Sequence, residues 1–371
     1  ALQDVEQKRT PHPPGAVVDK RACRDRLKLA RQWHKRLGPD ERAEREHPPD
    51  AGVLLAWAFP DRVGRKRADS LRTFLLANGK GAAVAPGDSL SEAEFIVAAD
   101  LNAREANAEV FLGAVLTRHD VETLFAPVIT TATVVSWDKA DQCVRARREQ
   151  RLHELVLQQG PLEAPPADLV ATALVEGVRE HGLQALPWTR DLRQWQARVL
   201  CLRQHLDADD WPDVTDDHLL QTVEDWLQPF LATGAGLRRL DDIDLRTPLT
   251  CLLDHEHQAR LDQLAPTHLQ VPSGARIRLD YTDGDVPVLP VRVQQMFGAT
   301  RTPCIAGGRV NVLVHLLSPA HRPVQVTTDL ASFWANTYAV VRKELRGRYP
   351  KHAWPEDPLS ATPTNTTRHR R

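Results

Sequence analysis

The chain has 371 residues, with 48 Lys or Arg against 49 Asp or Glu, so its formal net charge is −1. This length suggests about two to three domains, and the longest uninterrupted apolar run, Val53–Phe59, is far too short for the roughly 20 residues of a membrane-spanning helix. The five cysteines form no CxxC pair, which excludes a zinc ribbon and favours a reducing, cytoplasmic location.

The near-zero net charge conceals a polarised distribution. Residues 1–70 carry 16 basic and 11 acidic side chains, and residues 342–371 carry 8 and 3. Between them, residues 207–244, the acidic segment, carry 2 basic and 11 acidic side chains. Basic ends around an acidic centre indicate either polyanion binding or a solvated surface with internal charge pairing, and charge alone leaves both open.

Residues 1–67 are predicted to form a helical segment with linkers. Asp19 is suited to cap a helix that runs to Leu37 and ends at a Gly-Pro pair. Its amphipathic pattern has no core of its own, so the helix must pack on another element. A second helix, Val53–Phe59, is predicted to lead into the basic run 62–67.

Residues 68–160 show the pattern of short strands separated by turn residues. The predicted elements are the helix Asp120–Phe125 and the strands Leu71–Ala77, Ala82–Ala85, Phe95–Ala99, Glu109–Val115, Ile129–Trp137 and Val144–Arg148. About five strands with a helix before the last pair is the arrangement of an OB-like β-barrel, which often binds single-stranded nucleic acid. The strand count also suits other small barrels.

Residues 161–265 are predicted to form a helical connector. Its predicted helices are Asp168–His181, Leu192–His205, Asp216–Leu231 and Asp244–Leu264. Thr215 is a suitable cap for the third helix, and carboxylates in a first turn interact favourably with the helix dipole. Helix starts therefore explain much of the acidic segment without metal binding.

Residues 266–358 are predicted to form a four-stranded antiparallel sheet covered by one long helix. The strands come from two hairpins, 275–293 and 310–326, and the helix is Leu330–Arg346, whose apolar residues recur at i, i+3, i+4 and i+7. Residues 359–371 are predicted to be a disordered tail. The fold class is therefore α+β and multidomain.

No nucleotide-motor motif is present in this sequence. The Gly79-Lys80 pair is followed by Gly81 instead of Ser or Thr, and there is no DExD/H box and no GxGxxG. The run Asp254–His257 resembles a metal cluster, but His255 and His257 would lie about 200° apart on a helix, whereas a helical zinc pair needs i, i+4 spacing. We expect no catalytic, cofactor-binding or metal-binding residue here, and no ATPase activity from this chain alone.

Basic side chains are the candidates for nucleic-acid contact. They are Lys80, Arg118, Arg145, Arg147, Arg148, Arg346, Arg348 and Lys351. Residues 145–151 crowd the last predicted barrel strand and its exit, where guanidinium groups can follow phosphates. For the basic cluster of residues 342–351, ion pairing with the acidic segment is an equally good explanation. Trp137, beside two valines, is more typical of a core residue than of a base-stacking one.

Several idiosyncratic strings closely resemble those of the HrpB-type ATP-dependent helicases of bacteria. They are LLAWAFPDRV at 54–63, FLLANGKGA at 74–82, PT at 266–267, PSG at 272–274, LDY at 279–281, LLSPA at 316–320 and RGRYPKH at 346–352. The resemblance runs in order from about residue 19 to residue 358, which is nearly the whole chain.

This resemblance implies a DEAH/RHA-like superfamily 2 RNA helicase whose two RecA motor domains and winged helix would precede Ala1. Residues 1–67 would contain the end of the ratchet-like helical bundle, 68–160 the OB barrel, 161–265 the connector and 266–358 the C-terminal domain. ATP and Mg are expected only in the motor domains, because the sequence contains no counterpart of their motifs.

Two functions follow from these observations. In the first, the chain is an accessory region in which the OB barrel guides single-stranded RNA, or another nucleic acid, from motor domains of the same polypeptide. In the second, it is a protein-interaction module with an unidentified protein partner and no direct RNA contact. Neither function involves a membrane.

Overall fold

The computed structural model describes residues 20–37, 50–102, 107–206, 210–234 and 236–365. These fall into two compact units, one within residues 1–129 with Leu152–Leu155 and the other within Thr130–Arg151 and Val156–Arg371. The predicted helix cap Asp19 and the last six residues of the predicted tail lie outside the described residues. Within the described ranges, no helix combines the length and apolar character that crossing a membrane requires.

The described residues of the first unit form three α-helices and five strands. The helices are α1 (Lys20–Leu37), α2 (Ala51–Ala58) and α3 (Arg118–Leu124); the strands are β1 (Val63–Lys66), β2 (Thr73–Leu76), β3 (Gly81–Ala83), β4 (Phe95–Asn102) and β5 (Asn107–Leu116). The strands close into a barrel in the order β1-β2-β3-β5-β4, with β3 and β5 parallel and the other pairs antiparallel.

Apolar residues from alternating strand positions fill the barrel. Phe74, Leu76 and Ile96 are almost fully buried in its core. Gly64 allows β1 to approach them closely, because a Cβ at this position would lie 2.9 Å from the Leu76 Cδ2 atom. The five-stranded closed barrel is therefore held by the side-chain packing that closed sheets require.

Strands β2 to β5 of the barrel correspond to predicted strands, but the barrel also contains β1 and lacks the last predicted pair. β1 was interpreted as a basic connection, yet Val63 is fully buried and pairs with Val97, so this short strand completes the closure. The last two predicted strands, 129–137 and 144–148, lie in the second unit. The placement of Arg145, Arg147 and Arg148 on the barrel is therefore wrong.

These two strands belong to a separate three-stranded sheet, here called the connector sheet. It consists of β6 (Thr130–Asp138), β7 (Cys143–Leu152) and β8 (Leu155–Pro161), in the order β6-β7-β8. Its Trp137 packs on helix α4 (Ala167–His181), where a Cβ at Gly177 would lie 2.7 Å from the indole ring. The buried Trp137 is thus the core residue that the sequence indicated, but in the core of the second unit.

Of the helices that follow α4, the first contains the predicted span 192–205, whereas the later ones are shorter than predicted. These helices are α5 (Arg190–His205), α6 (Asp216–Gln221), α7 (Val223–Trp226), α8 (Gln228–Leu231), α9 (Arg246–Thr250) and α10 (His255–Leu264). The predicted helix 216–231 breaks at Thr222, whose φ of −104° and ψ of 20° are non-helical, and again before Pro229. The predicted helix 244–264 breaks before Asp254, whose side chain accepts a hydrogen bond from the His257 N–H and caps α10.

The C-terminal part contains seven short strands in three sheets. They are β9 (His268–Gln270), β10 (Arg276–Arg278), β11 (Val288–Arg292), β12 (Cys304–Ile305), β13 (Val310–Asn311), β14 (Leu313–Leu317) and β15 (Pro323–Thr327). β9 pairs with β10, β12 pairs with β13, and β11-β14-β15 form a three-stranded sheet.

This arrangement differs from the predicted four-stranded antiparallel sheet. The hairpin of β14 with β15 is confirmed, but β11 is parallel to β14. Asp280, which follows β10, forms an isolated antiparallel bridge with Val288 of β11. A parallel pair needs a crossover of about a dozen residues or more, and residues 293–312 supply it.

One helical segment packs its apolar face in this region as the periodicity predicted. It consists of α11 (Leu330–Ser332), a π-helical turn (Phe333–Thr337) and α12 (Tyr338–Arg348). The buried face is Leu330, Phe333, Trp334, Tyr338, Val341 and Leu345. Residues 359–365, predicted to be disordered, instead contact the fold: the Thr364 N–H donates to Gln294 O at 3.0 Å.

Candidate nucleic-acid interface

Strand β7 carries an alternating row of charged side chains. Because successive residues of a strand point to opposite faces, Arg145, Arg147, Glu149 and Arg151 share one face and Arg148 lies on the other. The basic residues are at least partly exposed, whereas Glu149 is 1% exposed. The strand therefore presents guanidinium groups around a buried carboxylate.

Glu149 holds two of these arginines in place. Its Oε1 accepts from Arg147 Nε at 2.6 Å, and its Oε2 accepts from Arg151 Nε at 2.7 Å. Burial by itself raises the pKa of Glu149, but the hydrogen bonds from Arg151 and Arg147 outweigh it and hold that pKa below its usual range. Glu149, Arg147 and Arg151 are therefore all ionised, and together they have a net charge of +1.

The other two arginines of β7 differ in their pairing. Arg145 donates through Nε to Asp138 Oδ2 at 2.6 Å and through Nη2 to Asp141, so the turn between β6 and β7 neutralises it. Arg148 is exposed and forms no ion pair with any described residue. Arg147 and Arg148 therefore keep guanidinium nitrogens available for an anion, whereas Arg145 already uses its Nε and Nη2 in ion pairs.

Two surface grooves lie beside these side chains. The first has a volume of about 520 Å³ and is lined by Cys143, Val144, Arg145, Ala146, Arg147, Gln159, Gly160, Pro161, Leu162 and Arg238. The second has a volume of about 400 Å³ and is lined by Arg148, Gln150, Gln158, Gly160, Pro161, Leu162, Glu163 and Ala164. The end of β8 therefore forms one wall of both grooves.

Sequence reasoning missed Arg238, a basic residue within the acidic segment. The Val144 N–H donates to Arg238 O at 2.7 Å, which brings this residue to the start of β7. No local pattern indicates this contact, because the two positions are far apart in sequence. The glycines at 234 and 236 signal only that a turn precedes Arg238.

The barrel carries Lys80 and Arg118, which lie in different surroundings. Lys80 is exposed at the turn between β2 and β3, where Gly79 has a φ of +82° and the Lys80 N–H donates to the Asn78 side chain at 3.0 Å. Arg118 pairs with Glu94, and its guanidinium lies 5.5 Å from the Phe95 ring centroid. Arg118 thus has a structural role that Lys80 lacks.

The C-terminal candidates lie at the end of α12. Arg346, Arg348 and Lys351 are exposed, and none of them forms an ion pair with a described residue. Positive side chains in a last turn interact favourably with the helix dipole. The described part of the acidic segment therefore does not explain this cluster.

The Asp254–His257 run takes part in a cluster of ion pairs. His257 Nδ1 lies 2.8 Å from Asp254 Oδ1, and His257 Nε2 lies 3.3 Å from Asp210 Oδ1. Hydrogen bonds to Asp254 and Asp210 raise the pKa of His257. Among the residues that the structure describes, no group of three or more His, Cys, Asp or Glu side chains is placed to hold a metal ion.

Comparison with known families assigns the connector sheet and the C-terminal part. Residues 128–162, which include the connector sheet, match the model described as "ATP-dependent RNA helicase HrpB, connector region". Residues 226–358 match the model described as "ATP-dependent helicase C-terminal". These matches confirm the sequence resemblance to the connector and C-terminal regions of HrpB-type helicases.

Individual relatives agree with this assignment. The chain is 39% identical over 317 residues to the ATP-dependent RNA helicase HrpB of Escherichia coli K12, an alignment covering 85% of this chain and 39% of that protein. It is also similar to the crystal structure of the E. coli DExH-box NTPase HrpB, with 34% identity, a TM-score of 0.54 and coverage of 98% of this chain and 46% of that one. The chain thus spans less than half the length of these relatives.

Proposed function

We propose that this chain is an accessory, non-motor region of an ATP-dependent RNA helicase and that its connector sheet binds single-stranded RNA. ATP hydrolysis would belong to motor domains of the same polypeptide, and the barrel, which we interpret as an OB fold, would guide the strand through the exposed Lys80. The observation that carries the proposal is strand β7, where Arg147, Arg148 and Arg151 present at least partly exposed guanidinium groups.

The chemistry of these side chains fits a phosphate backbone. A guanidinium presents several N–H donors in a fixed plane, which suits the oxygens of a phosphodiester. Contacts of this kind bind RNA independently of base sequence and release counterions, so the affinity falls as salt rises. Binding that does not depend on base sequence is what an accessory region of a helicase needs.

Salt dependence of RNA binding tests the proposal. The affinity of the full chain for a labelled oligouridylate should fall linearly on a log–log plot, by about 0.7 per phosphate contact for a single strand. The triple variant Arg147→Gln/Arg148→Gln/Arg151→Gln should reduce this slope by about two and weaken binding more than about tenfold at low salt.

The matched control removes the same charge from elsewhere in the second unit. Arg179, Arg309 and Arg322 are exposed and lie outside the connector sheet, so the triple change to glutamine at these positions should leave the slope unaltered. Equal losses in both triple variants, or no binding by the unmodified chain at low salt, would refute the proposal.

A protein-interaction module is the second candidate function. On the first unit, α2 and β5 carry large apolar side chains that are half exposed or more: Leu54 50%, Trp57 51%, Phe111 61%, Leu112 59% and Val115 52%. Exposed apolar side chains in such number are typical of a protein-contact surface. Absence of RNA binding at low salt would favour this function over the first.

A further inference from the structure

The larger groove of the connector sheet, here called the arginine groove, contains more positive charge than its surroundings neutralise. Among the residues that the structure describes, three arginines line it, namely Arg145, Arg147 and Arg238, and no carboxylate does. Two of them come from β7 and the third from the acidic segment, so a distant part of the chain completes the groove. A volume of about 520 Å³ is in the usual range for small-ligand sites.

Arg238 is the least neutralised of the three. Its Nη2 donates to the main-chain carbonyl of Glu163 at 3.0 Å, and its side chain forms no ion pair with a described carboxylate. Its Nη1 is buried and has no acceptor within the described chain. A buried donor on a charged group is costly to leave unpaired, so this guanidinium favours a nearby anion.

The side chains of β7 supply the rest of the site. Arg147 uses its Nε to bind Glu149, and its two terminal nitrogens have no partner among the described residues. Arg145 is paired with Asp138 and Asp141 and adds little net charge. The net attraction for an anion therefore comes mainly from Arg147 and Arg238.

We propose that the arginine groove binds a backbone phosphate of single-stranded RNA between Arg147 and Arg238, an inference that rests on the proposed function. The ligand is a phosphodiester because two arginines that line one open groove suit an anion that is part of a longer chain. Arg238 thereby becomes an RNA-binding residue within a segment that is otherwise acidic.

Substitution of neighbouring arginines tests this assignment. Arg238→Gln removes the charge but keeps an amide that can donate to Glu163 O. It should weaken oligouridylate binding about tenfold at low salt and reduce the salt slope by about 0.7. The control is Arg239→Gln: Arg239 is exposed, pairs with Asp241 at 3.1 Å and does not line the groove, so its removal should change neither quantity.

Protection of a thiol tests the site without any substitution. Cys143 lines the arginine groove, whereas Cys251 and Cys304 are exposed elsewhere and serve as controls within the same chain. Saturating oligouridylate should slow alkylation of Cys143 by about tenfold, as expected when a bound strand blocks access to the groove, and leave the rates at Cys251 and Cys304 unchanged; mass spectrometry gives the three rates.

The outcomes separate this inference from the proposed function. RNA binding with an unchanged slope in Arg238→Gln and no protection of Cys143 would overturn the groove assignment and leave the function standing. If Arg238→Gln does not fold, the thiol rates of the unmodified chain decide alone. Absence of RNA binding at low salt would overturn both.

Discussion

The barrel and the connector sheet both carry several basic side chains, but they use them differently. In the barrel, Arg62 and Lys66 donate to main-chain carbonyls at 3.0 and 2.7 Å, while Arg65 and Arg118 share Glu94. These cations hold the strands and the connections of the barrel together. Their donors are committed to the fold, so most of the positive charge of the barrel is structural.

In the connector sheet, a buried carboxylate positions arginines whose terminal groups reach the surface. Glu149 is 1% exposed, whereas the side chains of Arg147 and Arg151 are 46% and 32% exposed. The contrast teaches that a barrel topology typical of nucleic-acid binding does not by itself identify the binding surface. Side-chain donors that the fold leaves without a partner identify that surface better.

The largest effect is expected from removing an arginine that is buried and hydrogen-bonded within the fold. Arg198 is 6% exposed and donates to Ala265 O at 2.6 Å and to Asp262 Oδ1 at 2.6 Å, joining α5 to the end of α10. Arg198→Met should lower the free energy of unfolding by about 3 kcal/mol, because the carbonyl groups of the buried residues Leu261 and Ala265 lose their donor. Urea unfolding measures this change.

The same variant should leave RNA affinity within about twofold, because its charge does not reach the surface. Arg179→Met is the control: this exposed arginine pairs with Glu224 at 3.2 Å, and its loss should cost less than about 1 kcal/mol. If Arg198→Met weakened RNA binding as strongly as the β7 variants, a buried, hydrogen-bonded arginine would matter for RNA as much as an exposed one. That result would contradict the contrast drawn above.

Acid unfolding tests how much a hydrogen-bonded carboxylate contributes to the folding stability of the second unit. Burial raises the pKa of Asp280, but hydrogen bonds from Thr282, Gln194 and Arg190 outweigh it and lower the pKa from 3.8 to about 2. A carboxylate with a lowered pKa stabilises the fold above pH 3.8, and this stabilisation is lost as pH falls towards 2.

The expected loss is about 2 kcal/mol over that pH range. Urea unfolding at a series of pH values measures it, and Asp280→Asn should remove this part of the pH dependence. An unaltered acid slope in Asp280→Asn would show that the carboxylate is not linked to folding in this way.

The smallest effects concern the two basic candidates of the barrel. Arg118→Gln should cost less than about 1 kcal/mol, since its pair with Glu94 is half exposed, and should change RNA affinity by less than about twofold. Lys80→Gln should leave stability unchanged and weaken binding about threefold if the barrel contacts the strand. Equal binding losses in the two variants would show that pairing does not distinguish them.

Local patterns predicted much of the fold. The apolar face of 330–345 was found from its helical spacing, and strands such as β4 and β5 were located within a few residues. These features depend on neighbouring residues, whose periodicity a sequence displays directly. The closed barrel was also expected, although it contains β1 and excludes β6 and β7.

The features that the sequence did not predict depend on contacts between distant residues. Pairing of Val63 with Val97 closes the barrel, and contact of Gly177 with Trp137 draws β6 to a helix. Of the β7 arginines, Arg145, Arg147 and Arg148 were among the candidates and Arg151 was not. The pairing with Glu149 and the approach of Arg238 were not predicted. Such contacts are decided by global packing and leave no local signal.

The buried position of Glu149 has a consequence for the energetics of ligand association. A long, flexible arginine normally loses about 0.5–1.5 kcal/mol of rotamer freedom when a partner immobilises it. Arg147 and Arg151 have already lost most of that freedom to Glu149, which bonds to both at 2.6–2.7 Å. An incoming strand would meet preorganised side chains, so the entropic cost of ordering them was met when the chain folded.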